Sequence, residues 1–192
     1  MADRKQKTYF GDFKSRFVPA IEQDLEGTPV NVLVLGPKID GARLESAARL
    51  RKAILNRSSE LGVRVLVVAA EHRQLIRAAK KVYGTGYNLC LYERKLARQC
   101  DLIVILPASA GSLVELGLFA LERWACLKSA IFFDVEHKKS RSFISEGPRR
   151  AYRNKGARIC DVNYNDVPKV LLKLKQIVQE FRAIKIEGKR FP

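Results

Sequence analysis

Short apolar runs rich in β-branched residues recur along the chain with room for a helix between each pair, and this alternation restricts the fold more than any other feature. The runs are VNVLVLG (Val30 to Gly36), VRVLVVA (Val63 to Ala69), DLIVILP (Asp101 to Pro107), AIFFDV (Ala130 to Val135) and ARICDV (Ala157 to Val162). Near-continuous hydrophobicity marks strands covered on both faces. Between the first two runs, Leu44, Ala47, Ala48, Leu50, Ile54 and Leu61 fall broadly on one helical side, with Lys52 and arginines opposite and Gly62 as a stop. The spacing predicts further helices over about 71–81, 88–99, 112–126 and 167–184, and a short one in FKSRFVPAIEQDL. Strands and helices in alternation, joined by right-handed crossovers, predict a Rossmann/flavodoxin-like α/β fold. The expected sheet is open, parallel and five-stranded, in the order 2-1-3-4-5, with helices on both faces.

A length of 192 residues suits one domain. The expected division is an N-terminal helical extension over 1–28, an α/β domain over 29–185 and a basic tail over 186–192. No apolar run approaches the roughly 20 residues a membrane span needs, and MADRKQKTYFGDF lacks the apolar core of a signal peptide. A cytoplasmic protein with no membrane partner is expected. The four cysteines form no C-x-x-C pair and only two histidines accompany them. Buried free thiols are therefore expected rather than zinc or disulfides, and no cofactor is implied.

Charge narrows the partners. The chain carries 36 basic and 20 acidic residues, a formal net charge of +16, while its first 27 residues are balanced at five of each sign. Such a field attracts polyanions and phosphate-bearing ligands. Basic runs occur at Arg49 to Lys52, Arg77 to Lys81, Arg94 to Arg98, Lys138 to Arg141 and Arg149 to Lys155. One such run is an ordinary solvated face; five predict contacts with a nucleic-acid backbone through Arg49, Arg51, Lys52, Lys80, Lys81, Arg149, Arg150 and Arg153. With no zinc-finger or RNP-type motif, binding would rest on charge and shape.

In sheets of this kind ligands bind beyond the carboxyl ends of the strands where the order reverses, here between the first and third. GPKID (Gly36 to Asp40) and PASAGS (Pro107 to Ser112) converge there. Small side chains at a helix N-terminus expose backbone donors to an anion. The expected substrate-binding residues are Gly36, Lys38, Ser109, Gly111 and Ser112, together with Asp101 at the start of the third strand. Lys38 and Arg43 are either solvated charges or partners for a 5′-phosphate or diphosphate, which would favour nucleotides or NAD over plain nucleosides. Glu115 also has two readings. SLVE is a capping-box pattern in which Ser112 and Glu115 serve each other's backbone donors; otherwise the carboxylate does chemistry.

The run from Tyr92 to Ala120, YERKLARQCDLIVILPASAGSLVELGLFA, resembles the nucleoside 2-deoxyribosyltransferase family and its hydrolase relatives, where E-L-G opens the helix after the third strand. Cytokinin-activating phosphoribohydrolases look similar there too. The resemblance implies that Glu115 is the nucleophile and that Glu93, eight residues before Asp101, helps protonate the departing base. That chemistry needs one carboxylate ionised and the other protonated. On the residues alone, Glu93 in YERKLAR is equally a solvated helix position paired to Arg or Lys. The loop between Asp101 and Glu115 is slightly shorter than in the hydrolases, and Lys38 stands where a residue contacting base or sugar is expected. SFISEGPRRAY (Ser142 to Tyr152) resembles phage-defence effectors encoded beside retron reverse transcriptases; its other reading is a basic surface loop between the fourth and fifth strands. Those effectors join a transferase-like domain to a reverse transcriptase and its branched RNA–DNA. The expectation is a toxic N-glycosidase acting on nucleotides or NAD, bound to such a particle, with a homo-oligomer implied by relatives that complete their sites across subunits. The alternatives are a non-catalytic nucleotide-sensing, nucleic-acid-associated module and a salvage phosphoribohydrolase.

Overall fold

The computed structural model describes residues 27–39, 45–65, 77, 80–82, 84–86, 89–137 and 143–188. Five strands, β1 (Val30–Leu35), β2 (Val63–Val65), β3 (Leu102–Ile105), β4 (Ser129–Asp134) and β5 (Arg158–Val162), form one parallel sheet in the order β2-β1-β3-β4-β5. That is the order expected. The helices are α1 (Ser46–Asn56), α2 (Leu89–Gln99), α3 (Ala110–Ala120), α4 (Arg123–Leu127), α5 (Phe143–Glu146), α6 (Pro148–Asn154) and α7 (Val167–Ile186). The extension over 1–28 and the helix over 71–81 lie, but for a few residues, outside the described residues, as does Arg43.

Side-chain alternation along the strands divides the interior into two cores. Val30, Val32 and Val34 point with Leu102, Val104 and Phe132 to one face, under Leu50 and Ile54 of α1 and Val170, Leu174, Ile177 and Phe181 of α7. Leu33, Leu35, Ile103, Ile105, Ile131 and Phe133 point to the other, under Ala97 of α2, Leu116 and Phe119 of α3 and Tyr152 of α6. Burial on both sides explains why the strand sequences are apolar throughout.

Two expectations are corrected. The helix predicted over 112–126 is two helices: Glu122 adopts an extended conformation (φ −97°, ψ 111°) between α3 and α4, and its carboxylate accepts from Trp124 Nε1 at 2.7 Å and pairs with Arg94. The segment read alternatively as a basic loop before β5 contains α6, whose proline stands in the first turn, where its missing N–H costs nothing. Tyr152 of α6 is fully buried. Three cysteines are buried as expected and Cys90 is exposed; burial pushes the Cys100 and Cys126 thiols up to about 11, which keeps them protonated.

Charged side chains tie down the amino edge of the sheet. Arg182 of α7, buried, donates to Thr28 O at 2.9 Å and Gly62 O at 2.7 Å. Lys128 donates to Cys100 O at 2.8 Å and lies over the Trp124 ring, with Arg98 also over that ring, at 5.0 and 4.7 Å from its centroid. Among the described residues no helix is long and apolar enough to cross a membrane.

Candidate active site

The loop from Leu106 to Ser109 carries the chain from β3 into α3 at the carboxyl edge. Ser109 is the N-cap, extended at φ −137° and ψ 160°, and its hydroxyl accepts from Ser112 N at 3.3 Å. Ser112 returns the contact: its Oγ accepts from Ser109 N at 2.9 Å and Ala108 N at 3.1 Å and donates to Ser109 O at 2.9 Å. The capping box is therefore Ser109 with Ser112, not Ser112 with Glu115. This overturns the capping reading of Glu115 and corrects the expectation for Ser112, whose buried hydroxyl is engaged inside the turn. Ser109 is half-buried and Gly111 exposed, with open space among the described residues where a Cβ would stand. The amides of Ala110 and Gly111, at the first two positions of α3, have the direction and position to meet an anion.

Glu115 lies in the second turn of α3. Side chains tilt toward a helix's N-terminus, so its carboxylate leans toward the carboxyl edge; the residue is half-buried and its Oε2 is shielded from solvent. Leu116 beside it enters the core that also holds Ala97 of α2. Glu93 sits one turn before Ala97 on the same side of α2, in that helix's second turn. It is 4% exposed. Burial holds its carboxyl above the usual carboxylate range, and no cation pairs with it among the described residues. The solvated-pair reading fails for Glu93; its neighbour Arg94 pairs with Glu122 instead. Glu93 and Glu115 thus belong to two helices, α2 and α3, that pack on the same face of the sheet.

Gly36 and Lys38 follow β1 at that edge, Gly36 half-buried and Lys38 exposed. The glycine is closely packed: a Cβ there would stand 3.1 Å from Leu106 Cβ and 3.2 Å from Arg51 Cδ. Asp101 is a correction. It precedes β3 and so lies at the amino edge, where its Oδ2 accepts from Asn31 N at 2.8 Å and from Lys185 Nζ at 2.7 Å. A residue at the start of a parallel strand cannot share the crevice at its end.

The expected nucleic-acid contacts divide similarly. Lys52, Lys80, Lys81, Arg150 and Arg153 are exposed, as is Arg49, which also donates to Asn165 Oδ1 at 2.9 Å. Arg51 is fully buried and cannot meet a phosphate backbone. Arg149 grips both oxygens of Asp161 at 2.6 and 2.9 Å and lies 4.8 Å from the Phe133 ring centroid, so its charge is largely used locally. Sequence reasoning missed Arg51's true setting.

The family profile described as STM3845 retron effector protein matches residues 47–190. A protein of Escherichia coli retron Ec86, named for ribosyltransferase and DNA-binding roles, is 30% identical over 119 residues, spanning 55% of this chain and 38% of its own length. The chain thus covers well under half of that relative. The solved CMP N-glycosidase BcmB of Clostridium botulinum superposes with a TM-score of 0.43 at 15% identity, over 76% of this chain and 98% of that one.

Proposed function

The chain belongs to the STM3845 retron effector family, and from that premise we propose that it is an N-glycosidase, cleaving the base–sugar bond of nucleotides or NAD as the toxic arm of an anti-phage retron. One observation carries this reading. Ser109 and Ser112 close the helix cap between themselves, so Glu115 is not the partner of Ser112 in a cap, and Glu93, on a helix packed on the same face, is buried with no cation paired to it among the described residues. Glu115, as a carboxylate, attacks C1′ while the bond to the base breaks; the bonding pair leaves with the base, which in a nucleotide takes the proton of Glu93 and from NAD departs as neutral nicotinamide without it. Water then attacks C1′, releases Glu115 and returns a proton to the site. The raised pKa of Glu93 suits the acid role and the amides at the start of α3 suit a negative group.

Gly36, Lys38, Ser109 and Gly111 line the expected crevice, with Lys38 set to attract phosphate. The catalytic unit is taken to span 29–185, flanked by the extension and the basic tail. The excess positive charge and the exposed Lys52, Lys80, Lys81, Arg150 and Arg153 support a nucleic-acid-containing partner such as a reverse transcriptase–RNA/DNA particle. A homo-oligomer would cover Val114, exposed on α3, and Leu121, exposed at its C-cap. The test is incubation of the protein, with and without that particle, with nucleotides and NAD, followed by chromatography for free base. Base release is expected from the parent. A folded Glu115→Gln variant that releases as much base as the parent would remove the glycosidase reading.

A further inference from the structure

We infer that Arg51 is a positioning residue: from inside the fold, its guanidinium fixes the exit loop of β1 that forms one wall of the proposed nucleotide crevice. The inference rests on the glycosidase reading for its catalytic consequence, and on geometry for the clasp itself.

Arg51 occupies an inward position of α1, between Leu50 and Ile54 in the chain, with Ala47 one turn before it, and all three of these are core residues. An aliphatic side chain would meet the packing demand there at lower cost, because burying a guanidinium is unfavourable unless its donors are satisfied. What the guanidinium adds is direction. Its Nη1 donates to two successive carbonyls, Gly36 O at 3.0 Å and Pro37 O at 2.7 Å, and Nη2 stands 3.5 Å from Val34 O. All three carbonyls belong to the end of β1 and the turn that follows.

Two consequences follow from peptide geometry. In a trans peptide the N–H points opposite to the C=O, and the described bonds include no cis peptide. Turning the Pro37 carbonyl toward Arg51 therefore sends the Lys38 N–H to the far side, away from α1. The loop is also held from its other flank: Leu106 N donates to Leu35 O at 2.9 Å, and Leu106 Cβ fills the space beside Gly36. Arg51 and Leu106 thus grip Gly36 between them, so the wall of the crevice is set before any ligand arrives. Preformed walls spare a ligand the ordering cost of binding.

The experiment compares Arg51→Met, which keeps length but removes the donors, with Arg51→Lys, which keeps one charged donor group. For a nucleotide that the parent cleaves, Arg51→Met should raise KM about tenfold with kcat within about threefold, the pattern of lost substrate binding, and Arg51→Lys should recover much of that loss. Amide hydrogen exchange gives a readout free of catalysis: Arg51→Met should speed exchange at Lys38 and leave the amides of α1 as protected as in the parent. Equal KM in parent and Arg51→Met overturns the inference, as does exchange that rises alike in α1 and the loop, because Arg51 would then only hold the helix. If Arg51→Met does not fold, Arg51→Lys decides by the same two criteria, with smaller changes in KM and in Lys38 exchange expected and unchanged values overturning the inference. A parent that releases no base with any partner defeats the glycosidase reading, while the exchange result still judges the clasp.

Discussion

The two edges of the sheet are each closed by a buried arginine, but to different ends. At the amino edge Arg182 binds Thr28 O and Gly62 O, and around it Asp101, Lys185 and Lys128 meet one another or backbone groups. At the carboxyl edge Arg51 binds the β1 turn, while Glu93 of α2 is buried with no cation paired to it among the described residues. Buried charge costs free energy unless paired. The amino edge uses its charges for cohesion, whereas α2 buries an acid whose protonated form desolvation favours.

Substitutions can break this contrast, the largest effect first. Glu115→Gln should cut base release by roughly 10³-fold or more, as for loss of a nucleophile, with circular dichroism melting within about 2 °C of the parent because the cap is made elsewhere. Glu93→Gln should lower kcat by roughly 10²-fold, the scale of a lost general acid. It also has a stability signature. Burial raises the folded-state pKa of Glu93 above its unfolded value, so the favoured form is the protonated one, and stability present below the unfolded pKa is lost as pH rises through the folded pKa. Glu93→Gln should therefore melt above the parent at pH 8 and show no such gain at pH 4.

At the amino edge, Asp101→Ala removes the acceptor of Asn31 N and the partner of Lys185. It should cost about 1–2 kcal/mol, since both side chains remain partly exposed, with kcat/KM per folded molecule unchanged. A loss of activity beyond the loss of folded protein would return Asp101 to the crevice. The smallest effects belong to the surface: Arg150→Ala and Arg153→Ala should each reduce the slope of log affinity for DNA against log salt by about one. An affinity that is flat with salt in the parent would defeat the polyanion partner.

The sheet order was legible because the strands announce themselves by burial on both faces and the helices between them by their period. The cap was not, because Ser112-Leu-Val-Glu115 fits the capping-box pattern, whereas Ser109-Ala-Gly-Ser112 has a serine where that pattern has Glu or Gln. Arg51 was legible in retrospect: positions 47, 50, 51 and 54 make one inward stripe of α1, so the run from Arg49 to Lys52 crosses from surface to core and back. Asp101 was misplaced by attending to its neighbourhood in sequence instead of to strand direction. α6 was hidden by its basic residues, although Pro148 and Tyr152 mark a start and an inward position.

Trp124 is the chain's single tryptophan, and its indole is held at the amino edge by Glu122 with Arg98 and Lys128 over the ring. The carboxyl edge lies about 15 Å away at roughly 3.3 Å of rise per strand residue. Intrinsic tryptophan fluorescence consequently reports on the amino edge alone, and offers an optical gauge of when that half of the sheet comes apart.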